Sequence, residues 1–162
     1  MNYFELFDIP IGPIADKELL TKKYIQLQRQ NHPDYHVGSN DIYQQDALDN
    51  SANINAAYKT LKDEQATLAY FLEISGYLSA EDKFELPQSF LMEMMELNEQ
   101  LSFMLKHEAS AMIEQQENQL FSTIKDIINQ SATNYTEAQY NLLRDYYFKK
   151  KYLHRILDRL ID

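Results

Sequence analysis

The sequence predicts an all-α fold in two domains, and three observations carry that expectation. Only three Gly and four Pro occur in 162 residues, so hairpin-rich sheets and phosphate-cradling glycine loops lack their turn residues. Residues 88–162 contain neither Gly nor Pro, which calls for a few long helices joined by short polar connections. The first part of the chain is punctuated differently. That asymmetry places a small N-terminal domain at 1–75 and a C-terminal three-helix bundle at 76–162, joined near Gly76 to Pro87.

Taken in order, Tyr3, Leu6 and Ile9 form a short apolar stripe closed by Pro10, a brief first helix. Asp16 can cap a second helix reaching about Asn31, with Leu20, Tyr24 and Leu27 turned inward and Lys22, Lys23, Gln26 and Arg29 facing solvent. Pro33 disfavours a helical conformation at His32 and stops that helix, after which His36, Gly38, Ser39 and Asn40 read as loop. A third helix from about Ile42 to Leu61 completes a helical hairpin, with Ala47, Ile54, Ala57 or Tyr58, and Leu61 inward. A fourth, Glu64 to Ser75, ends at Gly76.

In the C-terminal part, a helix from Pro87 to about Lys106 carries Phe90, Met94, Leu97, Leu101 and Met104 on one stripe. The next, about Glu108 to Gln130, uses Ile113, Leu120, Ile124 and Ile127. The last, about Thr136 to Leu160, uses Leu142, Tyr146, Leu153, Leu157 and Leu160 and opens on a Thr136/Gln139 capping box. Short connections between them imply an up-down-up bundle.

Composition narrows the function. With 15 basic against 25 acidic side chains the net charge is −10, which opposes binding to nucleic acid through its phosphates. The absence of Cys removes thiolate nucleophiles, disulfides and Cys-ligated zinc or iron-sulfur clusters. No uncharged apolar run approaches the ~20 residues of a membrane span. The opening Met-Asn-Tyr-Phe-Glu has an acid where a leader would be basic, so a cytoplasmic protein is expected.

His32-Pro33-Asp34 directly follows the basic outer face of the second helix, in the loop before the third, and is preceded in the chain by Tyr3-Phe4-Glu5-Leu6-Phe7. Pro33 fixes the backbone, so His32 and Asp34 are displayed as a stiff polar probe able to hydrogen-bond a partner's Arg. The plainer reading is a helix stop with an Asp turn residue. The arrangement resembles a J-domain. The likeness continues through Leu27 to Asp34, Ser51-Ala52-Asn53-Ile54-Asn55-Ala56-Ala57-Tyr58-Lys59-Thr60-Leu61, and Phe90-Leu91-Met92-Glu93-Met94-Met95-Glu96-Leu97. The last segment lies outside any J-domain, and together the three are similar to the HscB family of J-domain co-chaperones of iron-sulfur cluster assembly.

That resemblance implies a DnaK-type ATPase as the partner of His32, Pro33 and Asp34, with Lys22, Lys23, Gln26 and Arg29 as the docking face. Between Glu18 and Asn31 there are three basic residues against one acid, a local reversal of sign that can steer an acidic partner. Two departures stand out. Tyr35-His36 replaces the Lys that follows the Asp in many J-domains, reducing positive charge near the probe, and Thr67-Leu68 stands where many HscB sequences have Arg-Ala, at the join between domains.

On the first bundle helix, several residues fall away from the core stripe when Phe90 is set as the origin. Stepping around the helix puts Leu91 at about 100°, Met95 at about 140°, Glu99 at about 180°, Met92 at about 200° and Glu96 at about 240°. On the last helix, Phe148 and Tyr152 also point away from the stripe of Tyr146. One reading is packing against the N-terminal domain. The other is a protein-binding patch, since Met and aromatic side chains rimmed by carboxylates suit adaptable recognition. The resemblance implies the second, an IscU-type scaffold bound by Leu91, Met92, Met95, Glu96, Glu99 and Tyr152, with Phe148 and Phe103 as additions lacking that support.

An enzyme reading rests on His32, Asp34 and His36, which could make a two-imidazole, one-carboxylate metal triad. The intervening Pro restricts their convergence. His107 and His154 read as isolated surface groups, and no nucleophile-base pair is present. The expectation is a non-enzymatic adaptor without cofactor or metal, with a J-domain co-chaperone for another client as its alternative.

Overall fold

The computed structural model describes residues 1–31 and 41–161, among which there are eight α-helices, one 3-10 turn and no strand. Two units, Met1–Ser75 and Gly76–Asp162, each bury their own apolar residues.

The first unit opens on a one-turn helix, α1 (Tyr3–Leu6), held by a capping box in which the Asn2 side chain accepts from the Glu5 N–H and the Glu5 carboxylate accepts from the Asn2 N–H. It closes as abruptly. The Ile9 N–H donates to Phe4 O and the Asp8 N–H to Glu5 O, with Asp8 at a φ of 51°, the paired bonds and left-handed residue of a Schellman ending. This turn puts Phe4, Phe7 and Ile9 in the core and leaves Tyr3 and Leu6 half-buried, which corrects the expected Tyr3/Leu6/Ile9 stripe. A helix of one turn cannot carry a three-residue period as far as Ile9. Tyr3 instead stacks on Tyr70, ring centroids 4.5 Å apart.

Helix α2 (Lys17–Asn31) starts where Asp16 Oδ1 accepts from the Leu19 N–H at 3.1 Å, and it packs against α3 (Asp41–Leu61). Leu20, Ile54, Ala57 and Leu61 are buried as their spacing requires. Away from this apolar end the hairpin is held by polar groups. Tyr24 stacks on Tyr58 at 3.9 Å, and Asn55 Oδ1 accepts from both the Tyr24 hydroxyl (2.7 Å) and Gln28 Nε2 (2.6 Å). Ser51 Oγ donates to Gln28 Oε1 at 2.9 Å.

Asp63 caps α4 (Glu64–Ile74) by accepting from the Ala66 N–H, and Gly76, at a φ of 83°, supplies the left-handed residue just past its end. Thr67 is 1% exposed, its hydroxyl 2.7 Å from Asp63 O and 3.1 Å from Leu61 O. Thr67 and its neighbour Leu68 are both buried.

The second unit contains α5 (Gln88–Leu101), α6 (Lys106–Phe121), the short α7 (Lys125–Ile128), a 3-10 turn at Ala132–Asn134, and α8 (Glu137–Ile161). Phe90, Met94, Leu97 and Leu101 of α5 share one core with Ala109 and Ile113 of α6 and with Leu153 and Ile156 of α8. Both early helices end sooner than expected, at Leu101 instead of Lys106 and at Phe121 instead of Gln130. The device is the same in each. Ser102 Oγ donates to Glu99 O and Ser122 Oγ to Gln119 O, while Phe103, Met104, Thr123 and Ile124 close tighter backbone bonds to the third residue back.

Thr136 and Gln139 form the reciprocal cap expected for α8. Its core face differs from the expected one, because Leu143 is buried and Leu142 is 47% exposed. The partners of α8 change along its length: its later turns meet α5 and α6, whereas Tyr140 stacks on Tyr77 and Phe148 on Phe84 in the stretch before α5. No single helical stripe can describe such a helix. Phe148 is thereby half-buried and stacked within the unit.

Candidate functional site

On α2, Lys22, Gln26 and Arg29 are exposed at spacings of four and three, which places them on one face. Lys23 departs from the expected solvent-facing set. It is half-buried, with Nζ 3.6 Å from Asp8 Oδ2. The His32-Pro33-Asp34 probe, with Tyr35 and His36, lies outside the described residues. What the structure does define is the frame that flanks it: Asn50 Nδ2 donates to Asn31 Oδ1 at 3.4 Å, extending the polar ladder to the last residue of α2.

The second face is on α5 and α8. Met92 and Met95 are 58% and 69% exposed, although the helix they stand on buries Phe90, Met94 and Leu97 on its other side. Leu91 is half-buried, and Glu96 and Glu99 are exposed. Tyr152 is less free than its position on the helix predicted. Its ring packs against the core, 6.0 Å from Phe90 and edge-on to it.

Two depressions accompany this strip. Met95 and Tyr152 line one with Met94, Asn98, Ile156, Arg155 and Arg159. Glu96 and Glu99 line the other with Gln100 and Phe103, whose side chain is 87% exposed because α5 has already ended. Leu91 and Met92 lie outside both. Sequence reasoning missed Arg155 and Arg159, although their spacing from Tyr152, three and then four residues, was a legible signal for a shared helical face.

His154 is not isolated: Nε2 lies 3.3 Å from Glu117 Oε1, joining α8 to α6. Among the described residues no group of three or more His, Asp or Glu side chains is placed to hold a metal ion, and the His32, Asp34 and His36 triad falls outside them. Nor is any helix among them long and apolar enough to cross a membrane.

Residues 86–161, nearly the whole second unit, match the family model described as the HSCB C-terminal oligomerisation domain. Curated relatives include a co-chaperone protein HscB homolog of Vibrio cholerae, 40% identical over 102 residues, a match covering 62% of this chain and 60% of the relative. The second unit is thus similar to the C-terminal domain of HscB co-chaperones. A second relative, the co-chaperone protein HscB of Proteus mirabilis, is 36% identical over 62% of this chain and 59% of its own length. The chain spans about 60% of the length of these curated relatives in the matched region.

Among solved structures, the chaperone HscB from Vibrio cholerae matches with a TM-score of 0.67 at 26% identity, over 99% of this chain and 95% of that one. The human co-chaperone HscB matches in fold with a TM-score of 0.81 at 23% identity, over 99% and 80%. The all-α architecture expected from the sequence, a J-domain followed by a helical C-terminal domain, is the HscB architecture. The names of these relatives are those of co-chaperones and not of enzymes.

Proposed function

We propose that the chain is a non-enzymatic co-chaperone whose J-domain stimulates a DnaK-type ATPase and whose C-terminal domain delivers an IscU-type iron-sulfur scaffold to it. The observation that carries this reading is the exposure of Met92 and Met95 on a helix already saturated with core contacts on its other side. Apolar side chains left on the surface of a domain with a complete core suit a partner protein, and their flexibility suits an adaptable one. Leu91 and Tyr152 would supply the partly covered apolar flanks of the site, and Glu96 and Glu99 its polar rim.

On the J-domain, Lys22, Gln26 and Arg29 would dock the ATPase, assisted by Lys23, while His32, Pro33 and Asp34 trigger hydrolysis. The short ladder from Tyr24 to Asn50 supports this role, since it holds α2 and α3 in register on both sides of the loop. Cluster ligands would belong to the scaffold. The His32, Asp34 and His36 metal reading falls on residues outside those described.

The test is single-turnover ATP hydrolysis by a DnaK-type chaperone with added chain. Wild type should accelerate it, and Asp34→Asn, which removes the charge and keeps the shape, should not. Full stimulation by Asp34→Asn would reject Asp34 as the trigger.

A further inference from the structure

The apolar strip of α5 is bordered by opposite charges. Helical arithmetic from Phe90 puts Leu91, Met95 and Met92 between about 100° and about 200°, with Glu99 among them near 180° and Glu96 beyond them near 240°. The Met95 and Tyr152 groove lies on the α8 side and carries Arg155 and Arg159, whereas Glu96 and Glu99 stand on the far side beside Phe103. All four charged side chains are exposed, and among the described residues none of them takes part in an ion pair. Arg155 and Arg159 are also one helical turn apart, so both guanidiniums can address the same partner segment.

In a chain of net charge −10, a groove with two unengaged guanidiniums is a local reversal of sign. Met94, Met95 and Ile156 line it together with Asn98 and the two guanidiniums, so a carboxylate that docks there meets charge-assisted donors beside apolar side chains. Across α5 the field has the opposite sign. We propose that this polarity sets the orientation of the bound scaffold: its surface presents a carboxylate to Arg155 and Arg159 and a basic side chain to Glu96 and Glu99, on either side of an apolar contact with Met95. A partner docked the other way round would meet like charges on both flanks, which is how complementary charges fix register.

This inference rests on the reading of the strip as the scaffold surface, and its test separates the two. The probe is an IscU-type scaffold protein titrated calorimetrically with the full chain at 50 mM and 500 mM salt, values chosen as roughly bracketing strong and weak screening. Arg155→Glu with Arg159→Glu, and separately Glu96→Lys with Glu99→Lys, should each weaken binding about three- to thirtyfold at low salt and much less at high salt. Met95→Ala should weaken it equally at both. Should a reversed variant fold poorly, Arg155→Gln with Arg159→Gln gives the same direction with a smaller loss.

Charge reversals that leave affinity and its salt dependence unchanged, while Met95→Ala still loses binding, would overturn the orientation and spare the surface. No binding by the parent chain would overturn both. Self-association of the chain that the same reversals abolish, with scaffold binding intact, would assign the charged flanks to a second copy and likewise overturn the proposal.

Discussion

Met95 and Leu97 stand two residues apart on α5, and truncating each to Ala should have opposite consequences. Leu97 is 5% exposed in the core shared by α5, α6 and α8, so Leu97→Ala loses both buried area and packing, a cost of about 2–5 kcal/mol. Met95 is 69% exposed. Full burial of a Met side chain is worth about 1.5–3 kcal/mol, and only a minor fraction of that is realised here, so Met95→Ala should cost stability less than about 1 kcal/mol. Binding should reverse the order: if Met95 is an interface anchor, its loss removes about 1–2 kcal/mol of affinity, a five- to thirtyfold weaker dissociation constant. Urea denaturation followed by helicity and calorimetric titration with the scaffold give the two numbers for each variant. A Met95→Ala chain as destabilised as Leu97→Ala, with scaffold affinity intact, would refute the assignment of Met95 to a surface.

Replacing Thr67 with Val keeps the shape and deletes the hydroxyl that donates to the α3–α4 corner, so the chain should lose about 1–2 kcal/mol in urea denaturation, and an unchanged midpoint would show that the carbonyls need no such donor. Lys22→Glu with Arg29→Glu should slow association with the ATPase in stopped-flow measurements, and raised salt should narrow the gap to wild type. Tyr135 has its pKa raised, first by burial and then by the neighbouring Tyr140. Because the unfolded chain releases this proton first, its contribution is fully present below the unfolded value and is lost as pH rises through the folded one. Tyr135→Phe should therefore flatten the decline in melting temperature above about pH 10, whereas an identical decline in both chains would assign it to other groups.

The parts of this fold legible in the sequence are those with local chemical signals. Asp16, the Thr136/Gln139 pair and Gly76 each mark a helix end through a side chain or a backbone preference that acts within four residues. The helix ends at Leu101 and Phe121 were hidden because Ser102 and Ser122 stop a helix with the same hydroxyl that many helices carry in their interior. The exchange of Leu142 for Leu143 was hidden for a different reason, since it depends on which element meets each turn of α8. At the candidate site, the exposure of Met92 and Met95 followed from periodicity on α5 alone, but Arg155 and Arg159 became part of it only when α8 was placed beside α5. Tyr152 shows the limit of a helical wheel: its position away from the main stripe did not prevent its ring from meeting Phe90.

The central claim is that one chain couples an ATPase to a scaffold, and the most direct measurement is steady-state ATP hydrolysis by the DnaK-type partner with chain alone, scaffold alone and both together. Coupling predicts that chain and scaffold together raise turnover beyond the product of their separate effects, that Asp34→Asn abolishes the stimulation, and that the Leu91→Ala, Met95→Ala, Tyr152→Ala triple variant retains the effect of chain alone but loses the excess. A turnover with both present that equals the product of the separate effects, or an excess that survives the triple variant, would contradict it.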